Sequence, residues 1–304
     1  MISIDVENKE SLRNRFIVFS IKLNRRKTSL QRRKVINLFS LLMTKLKYST
    51  NLINLEKNKG SILIAEKRNN PDIVITANLI NGDPHVLRKS RFNPLNRLEN
   101  KKTEMMNSTI LLFTEALTIL IGVLILYIGK TKYNNIFLQS FGIIIMIATI
   151  VFSYFSQSRT HISKDAALFS LIEFASTNKD SDATLCFINS TDQFVTNNTL
   201  KSLYPNSLII LINQLIDSES VTCYYTSDAK ENIMTLKDRC VEPSYLPIES
   251  EYESIIYPIN RGVILTTTDS TDNKTIFPGS KEDIEVDVEL FSYVPKMLKN
   301  FERR

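Results

Sequence analysis

Apolar and polar positions follow three different spacings along this chain, and each spacing predicts a different kind of element. Apolar runs of five to seven residues between polar loops are typical of strands buried on both faces of a sheet. Such runs lie at 61–65, 72–77, 183–188, 207–212 and 262–268. Further strands are predicted at 16–23, at 51–55 and, from alternating residues, at 221–226 as an edge strand.

Apolar residues at helical spacing predict the elements between these strands. The predicted helices span 29–47, 165–176, 194–203, 229–239 and 281–301. Strands and helices therefore alternate with short connections, which is the pattern of strand–helix–strand units. The sequence predicts an α/β fold with a largely parallel sheet that helices cover on both faces.

Two long apolar runs interrupt this pattern. Residues 109–128 carry one charge and residues 136–155 carry none. A helix of about 20 residues spans about 30 Å, the thickness of a bilayer's hydrocarbon core. The runs predict a transmembrane helical hairpin, with a pair of buried core helices as the alternative. We expect residues 1–108 and 156–304 to form one domain, with 109–155 inserted into it.

The distribution of charge predicts the orientation of this hairpin. Residues 88–102 contain six Lys/Arg, whereas the loop at 129–135 contains two. Because positive flanks stay on the cytoplasmic side, both chain termini are expected in the cytoplasm of a cell-membrane protein with two spans. The charged N-terminus does not resemble a signal peptide. Three widely spaced cysteines give no disulfide framework and suit a reducing compartment.

The charge also divides the chain into a basic and an acidic half. Residues 1–108 carry a net charge of +13 and residues 156–304 carry −8. The predicted basic helix begins in residues 22–34, which hold seven Lys/Arg and no acidic residue. This segment could contact anionic lipid headgroups or pair with the acidic half. Nucleic acid is not an expected partner, since no aromatic residues are interleaved with the basic ones. The expected membrane-surface contacts are Arg25, Arg26, Arg32 and Arg33.

Polar segments follow the buried strands, at the place where open α/β sheets form their sites. These segments read TANLIN (76–81), INSTDQ (188–193) and NQLIDS (213–218), and HISKDAAL (161–168) opens the helix after the insertion. Their order resembles the zinc-dependent aminopeptidases of the glutamate carboxypeptidase and transferrin receptor superfamily. A bacterial branch of that family carries a transmembrane hairpin at the same place. The resemblance implies a three-layer, mostly parallel sheet with a two-zinc site at the strand ends.

The resemblance assigns family positions to the first strand end and the following helix. The family's first zinc histidine falls on Asn78, and the aspartate two residues later falls on Ile80. The aspartate that bridges the two zinc ions falls on Asp165, which is present. One of these three positions therefore keeps a side chain suited to zinc.

The remaining family positions fall on the later strand ends. Of the family's glutamate pair, the general base falls on Thr191 and the zinc ligand falls on Asp192. The aspartate of the third strand falls on Gln214. The last histidine falls in a segment without histidine, and Ser270 is the best match for its position. The family's catalytic base and most of its ligands are thus replaced.

These replacements predict a degenerate site. Two zinc ions need several imidazoles and carboxylates, and Asp165 with Asp192 supplies too few donors. We expect no metal cofactor and a non-catalytic role in binding or scaffolding a peptide or a membrane protein. The alternative is a divergent metal-dependent aminopeptidase that binds zinc through these aspartates and a recruited histidine. The two histidines in the chain, His85 and His161, are the possible substitutes.

Overall fold

The computed structural model describes residues 6–23, 29–56, 59–80, 91–156, 162–237, 243–269, 273–276 and 285–302 of the 304. The helices are α1 (Val6–Leu23), α2 (Ser29–Lys45), α3 (Arg97–Thr131), α4 (Ile136–Ser156), α5 (Ile162–Thr177), α6 (Gln193–Leu203), α7 (Lys230–Lys237) and α8 (Leu290–Glu302). The strands are β1 (Ser49–Asn54), β2 (Gly60–Glu66), β3 (Ile73–Asn78), β4 (Arg91–Phe92), β5 (Thr184–Ser190), β6 (Leu208–Ile212), β7 (Val221–Tyr225), β8 (Ser244–Pro247), β9 (Gly262–Thr267) and β10 (Thr275–Ile276).

Eight of the strands form one sheet in the order β1-β2-β5-β3-β6-β9-β7-β8. Four neighbouring pairs are parallel, and the pairs β1/β2, β2/β5 and β7/β9 are antiparallel. The α/β fold is therefore confirmed, but the prediction of a largely parallel sheet is wrong, since the sheet is mixed. A continuous apolar run such as β2 indicates burial on both faces and does not reveal the direction of its neighbour.

The edge of the sheet also differs from the prediction. The alternation at 221–226 predicts an edge strand, yet β7 lies between β9 and β8. Strand β8 forms that edge, and no strand is predicted there from the sequence. Its four residues are mostly exposed and end in Pro247, so they show neither an apolar run nor clear alternation.

The predicted strand at 16–23 is the second half of helix α1. Its aromatic and β-branched residues favour a strand, but its buried positions follow helical spacing. The ring of Phe16 packs against Phe169 of α5 and Phe291 of α8, with ring centroids 5.5 and 4.6 Å apart. These contacts bury one face of α1, and Leu23 at its end is fully buried.

Helices cover both faces of the sheet. One core contains the buried faces of α1, α2, α5 and α8, and the other contains α6 and part of the segment 248–259. Helix α8 begins at Leu290, later than predicted, because residues 285–289 are not helical. Helix α5 is buried along nearly its whole length, which fixes its first turn against the sheet.

Helices α3 and α4 extend from this domain and pack against each other. The contact is close at their glycines: a Cβ atom at Gly142 would lie 2.6 Å from the carbonyl oxygen of Gly122. Within the described residues, α3 is the one helix long and apolar enough to cross a bilayer, whereas the apolar part of α4, Ile136–Val151, is shorter. Only 6% of the most apolar stretch of α3 is buried, unlike a core helix.

Candidate functional site

The ends of β5, β3 and β6 lie side by side and define what we call the carboxyl edge of the sheet. These three strands are parallel, with Asn78 beside Ile188 and Ala77 beside Ile212. Because polar residues follow each strand directly, this register brings Asn78, Asp192 and Gln214 to the same edge. The opposite end of these strands is the amino edge.

The side chain of Asn78 is used in local structure. Its Oδ1 accepts a hydrogen bond of 2.9 Å from the backbone N–H of Ile80, which closes a turn after β3. Its Nδ2 donates to the carbonyl oxygen of Ser190 on β5, at 3.5 Å. Asn78 therefore fixes the strand end. In the zinc-dependent aminopeptidases, which the order of motifs resembles, a zinc histidine falls at this position. Ile80 is buried and has no polar side-chain atom.

The first turn of α5 places Asp165 at this edge. The carbonyl oxygen of Ser163 accepts from the backbone N–H of Leu215, at 3.2 Å, which ties α5 to the segment after β6. Lys164 Nζ lies 3.5 Å from the carbonyl oxygen of Ile80 and crosses to the segment after β3. Asp165 itself is fully buried.

Asp192 holds the start of α6 and pairs with a lysine. Its Oδ1 accepts a hydrogen bond of 3.0 Å from the backbone N–H of Val195, so Asp192 is the N-cap of α6. Its Oδ2 lies 2.7 Å from Lys59 Nζ. Partial desolvation favours the neutral acid, but the bonds from Lys59 and Val195, with the nearby Lys101 charge, hold the pKa of Asp192 below its usual value.

Gln214 is fully buried beside the carboxyl edge. Its backbone carbonyl accepts from the N–H of Thr267 at 2.9 Å and from the hydroxyl of Thr266 at 3.2 Å, which joins it to β9. In the described part of the chain, neither side-chain atom of Gln214 has a hydrogen-bond partner. Asn213 Nδ2 is also buried without a hydrogen-bond partner among the described residues. A buried amide without a partner is costly and is normally completed by water or a bound group.

The other predicted residues are distributed differently. Thr191 is exposed, Arg32 is half-exposed and Arg33 is exposed. The remaining predicted residues lie outside the described residues: Arg25, Arg26, His85, His161 and Ser270.

Lys59 is the residue at this edge that sequence reasoning missed. It stands directly before β2, and β2 runs antiparallel to β5 with Gly60 opposite Ser190. The start of β2 therefore lies at the carboxyl edge. A parallel β2 would have placed Lys59 at the amino edge, so the wrong sheet direction concealed this ion pair. The signal for this position in the sequence is the pair Lys59–Gly60, which directly precedes the apolar run at 61–65.

These donors do not fit a zinc centre. Zinc is held by imidazole, thiolate and carboxylate groups, whereas Asn78 and Gln214 are neutral amides and Thr191 is a neutral hydroxyl. The Asp192 carboxylate is shared between Val195 and Lys59. Over the described ranges, no group of three His, Cys, Asp or Glu residues is arranged to hold a metal ion.

The start of α3 is held by aromatic rings close to α6. The guanidinium carbon of Arg97 lies 5.8, 5.0 and 4.9 Å from the ring centroids of Phe194, Tyr252 and Tyr257. The backbone N–H of Arg97 also donates to the carbonyl oxygen of Glu253, at 2.6 Å. Cation–π contacts and this bond fix the first turn of α3 beside the first turn of α6, next to Asp192.

Two clefts lie at the amino edge. One, of about 400 Å³, is lined by residues that include Lys201, Tyr204 and Arg261. The other, of about 250 Å³, includes Arg68 and Glu302. Both are far along the strands from Asn78 and Asp192, so neither is the candidate site derived from the strand ends.

Comparisons with known proteins identify the fold. No family model matches this chain, and no curated protein matches it. Two crystal structures of Legionella pneumophila LapA, one described as an aminopeptidase, have TM-scores of 0.52 and 0.51 at 11% identity. The match covers 99% of this chain and 77% and 75% of those chains. Porphyromonas gingivalis glutaminyl cyclase has a TM-score of 0.50 at 9% identity, over 97% of both chains. The expected aminopeptidase-like fold is thereby confirmed, and the similarity extends to the fold alone.

Proposed function

We propose that this chain is a membrane-anchored protein whose aminopeptidase-like domain binds a partner without hydrolysing it. The observation that carries this proposal is the environment of Asp192. Its carboxylate stands where the resembling family has a zinc ligand, yet it caps α6 and pairs with Lys59. A lysine ammonium 2.7 Å from this carboxylate supplies the positive charge that a zinc ion would otherwise bring.

The residue at position 191 supports the same proposal. Hydrolysis of a peptide bond requires a group that takes a proton from the attacking water. Thr191, at the position of the family's general base, has a neutral hydroxyl that does not perform this step near neutral pH. Asp165 is fully buried in the first turn of α5. We assign it to stabilising the edge and not to catalysis.

Membrane anchoring is supported by the exposed apolar surface of α3 and α4. Phe137 is 82% exposed and many Leu, Ile and Phe side chains of both helices are similarly open, which is costly in water and favourable in lipid. We propose that 109–128 and 136–155 both cross the bilayer. The Lys/Arg excess before α3 then places both chain termini in the cytoplasm.

The proposed partner is a peptide or a membrane protein that contacts the carboxyl edge. Helices α3 and α5 both begin at this edge, so an anchored domain presents it toward the bilayer. Its exposed rim includes Thr191, Lys59 and Glu219. Among the described residues, Asn213 Nδ2 and both side-chain polar atoms of Gln214 have no hydrogen-bond partner, and they offer donors and an acceptor for a peptide main chain.

Zinc content and peptidase activity test the non-catalytic role. Full-length protein purified in mild detergent should carry no stoichiometric zinc and should release no amino acid from peptides, with or without added zinc. Each lost ligand weakens metal binding, and loss of a general base costs about 10²–10⁴-fold in rate. Stoichiometric zinc with hydrolysis that Asp165→Ala abolishes would establish the alternative, a divergent metal-dependent aminopeptidase. His85 and His161 would then be the first candidate ligands.

Photo-crosslinking in native membranes tests the partner. A photoreactive residue at Thr191 should capture a specific peptide or protein at the carboxyl edge. The same residue at Asn260, which is exposed at the amino edge, is the matched control and should not capture it. Capture of the same species from both positions would contradict a partner at the carboxyl edge.

Cysteine labelling in intact cells tests the topology. In a variant without its native cysteines, Asn134→Cys in the loop between α3 and α4 should react with a membrane-impermeant thiol reagent. Ser202→Cys, exposed on α6, should react only after the cells are opened. Labelling of position 202 in intact cells would overturn the proposed orientation.

A further inference from the structure

Apolar side chains are exposed where α1 ends and α2 begins. Val18 and Ile21 of α1 are 52% and 68% exposed, and Leu30 in the first turn of α2 is 63% exposed. The two helix ends are five residues apart in the chain, so they lie within about 20 Å of each other. We define the α1–α2 tip by these residues and the adjoining cations: Val18, Ile21, Leu30, Arg32, Arg33 and Lys34.

Within the described ranges, the cations of this tip have no acidic partner in the ion pairs that form. Elsewhere the basic half does pair with the acidic half: Arg15 Nη1 lies 2.9 Å from Glu173 Oε1, and Lys9 pairs with Glu289. No carboxylate of the described ranges pairs with Arg32, Arg33 or Lys34. Among the described residues, carboxylates of the acidic half therefore pair with α1 and not with the start of α2.

The direction of α2 places the tip at the carboxyl edge. Helix α2 ends just before β1, and Ser49 at the start of β1 pairs with Glu66 at the end of β2. Since β2 is antiparallel to β5, that position is the amino edge. Helix α2 is 17 residues long, about 25 Å, and the ring of Phe39 near its middle packs against Phe187 of β5. Its first turn is therefore near the edge where α3 and α5 begin.

We propose that the α1–α2 tip is a second membrane-binding element, which inserts Ile21 and Leu30 into a leaflet of anionic lipid. This inference rests on the proposed anchoring of α3 and α4, which would bring the same edge toward a bilayer. Apolar side chains beside unpaired Lys/Arg are the combination that lies at an anionic lipid interface. An acidic protein surface would attract the cations, but it would not favour exposed Ile21 and Leu30.

The chain contains no tryptophan, so single substitutions provide depth reporters in the full-length protein. Ile21→Trp and Leu30→Trp should each be quenched by brominated acyl chains in reconstituted vesicles that contain anionic lipid. Leu52→Trp, at an exposed site in the middle of β1, is the matched surface control and should not be quenched. Leu124→Trp in α3 reports the span itself.

The arms of this experiment separate the tip from the anchor. The ratio of membrane-bound to unbound tips should fall on the order of 100-fold in neutral lipid, or when residues 32, 33 and 34 are all changed to Gln. The reason is that each cation near the surface contributes about five-fold to this ratio. Quenching at position 124 should not change. The proposal would be overturned if the tryptophan at 124 is quenched while those at 21 and 30 are quenched no more than the one at 52. Quenching at 21 and 30 without quenching at 124 would support the tip and contradict the span. Equal quenching in neutral and anionic vesicles would overturn the role of the cations.

Discussion

The sheet domain and the α3–α4 pair are built from the same apolar residues but bury them differently. In the domain, strands such as β6 are covered on both faces, and every residue of Leu208–Ile212 is buried. In the helix pair, most Leu, Ile and Phe side chains point outward, and the buried positions include the glycines Gly122, Gly129 and Gly142. One region excludes water with its own side chains, while the other leaves its large apolar side chains exposed.

The two regions therefore depend on different kinds of residue. Large side chains hold the domain together by filling a core, so their volume matters. In the helix pair, small residues allow the backbones to approach, as in membrane helix packing, and the large side chains face away. Substitutions should therefore have opposite patterns in the two regions: loss of volume harms the domain, and gain of volume harms the helix pair.

The largest effect is expected for Phe187→Ala in the domain. Phe187 is fully buried, and its ring centroid is 4.7 Å from that of Phe39. Removing the ring should lower the free energy of unfolding by about 3–5 kcal/mol. The matched control is Phe137→Ala on α4, which should change it by no more than about 0.5 kcal/mol. Urea unfolding in mild detergent, followed by near-ultraviolet circular dichroism of the tyrosines, measures both. Equal losses would show that the two regions do not differ in this way.

A smaller effect, of the opposite kind, is expected for Gly142→Val. The added Cβ would lie 2.6 Å from the carbonyl oxygen of Gly122 and 2.8 Å from the backbone nitrogen of Leu126, so the helices must separate. Overpacking of this kind costs about 1–3 kcal/mol. Hydrogen exchange of α3 in nanodiscs should increase while that of the sheet stays constant. Ala148→Val, at an exposed position of α4, is the control for the β-branched residue. Unchanged exchange in Gly142→Val would contradict the glycine contact.

The comparison also explains how much of the fold the sequence could predict. The buried strands and most helices follow from continuous apolar runs and helical spacing, because burial leaves a direct trace in residue type. Pairing direction leaves no such trace, which is why the sequence predicts a largely parallel sheet and an edge strand at 221–226, whereas the sheet is mixed and β7 lies inside it. Helix α1 was misread because the residues of 16–23 have strand propensity, while contacts of Phe16 with α5 and α8 decide the helix.

Only part of the candidate site could be predicted from the sequence. The residues at the strand ends could be placed together because β5, β3 and β6 are parallel neighbours, as the order of motifs implied. The ion pair of Asp192 with Lys59 could not be derived, since it depends on an antiparallel β2. The aromatic contacts of Arg97 with Tyr252 and Tyr257 also escaped prediction, because about 155 residues separate the partners in the chain.

The junction between the two regions provides an effect of intermediate size. Arg97→Ala removes the cation that packs on three aromatic rings and should loosen the first turns of α3 by about 1–2 kcal/mol. Arg97→Lys should retain part of this, since a lysine keeps the charge but not the planar stacking. Proteolytic cleavage within residues 97–107 should increase in the order wild type, Lys, Ala. Arg91→Ala, at an exposed position on β4, is the control. Faster cleavage in the control alone would place the attachment elsewhere.

The smallest effect concerns a carboxylate at the same junction, ten residues before the apolar run of α3. Glu99 Oε1 lies 2.8 Å from Lys274 Nζ, and Asn93 donates to its other oxygen at 3.2 Å. The hydrogen bond from Lys274 is the main cause that holds the pKa of Glu99 below its usual value. Because Glu99 is partly exposed, the pair should contribute about 0.2–1 kcal/mol. Glu99→Gln should therefore lower the free energy of unfolding by this amount near pH 6.

The pH dependence of that difference gives the test. A carboxyl whose pKa is lowered by folding contributes its stability above the unfolded value of about 4.3 and loses it as pH falls through the folded pKa. The gap between wild type and Glu99→Gln should therefore close on acidification below about pH 4. The pH dependence of Glu302 is the opposite. Burial raises the pKa of its carboxyl, so its contribution to the free energy of unfolding declines as pH rises through the folded-state pKa. Glu10→Gln, at an exposed position of α1, is the matched surface control. A gap for Glu99→Gln that widens as the solution is acidified would mean that Lys274 does not hold this carboxylate in its charged form.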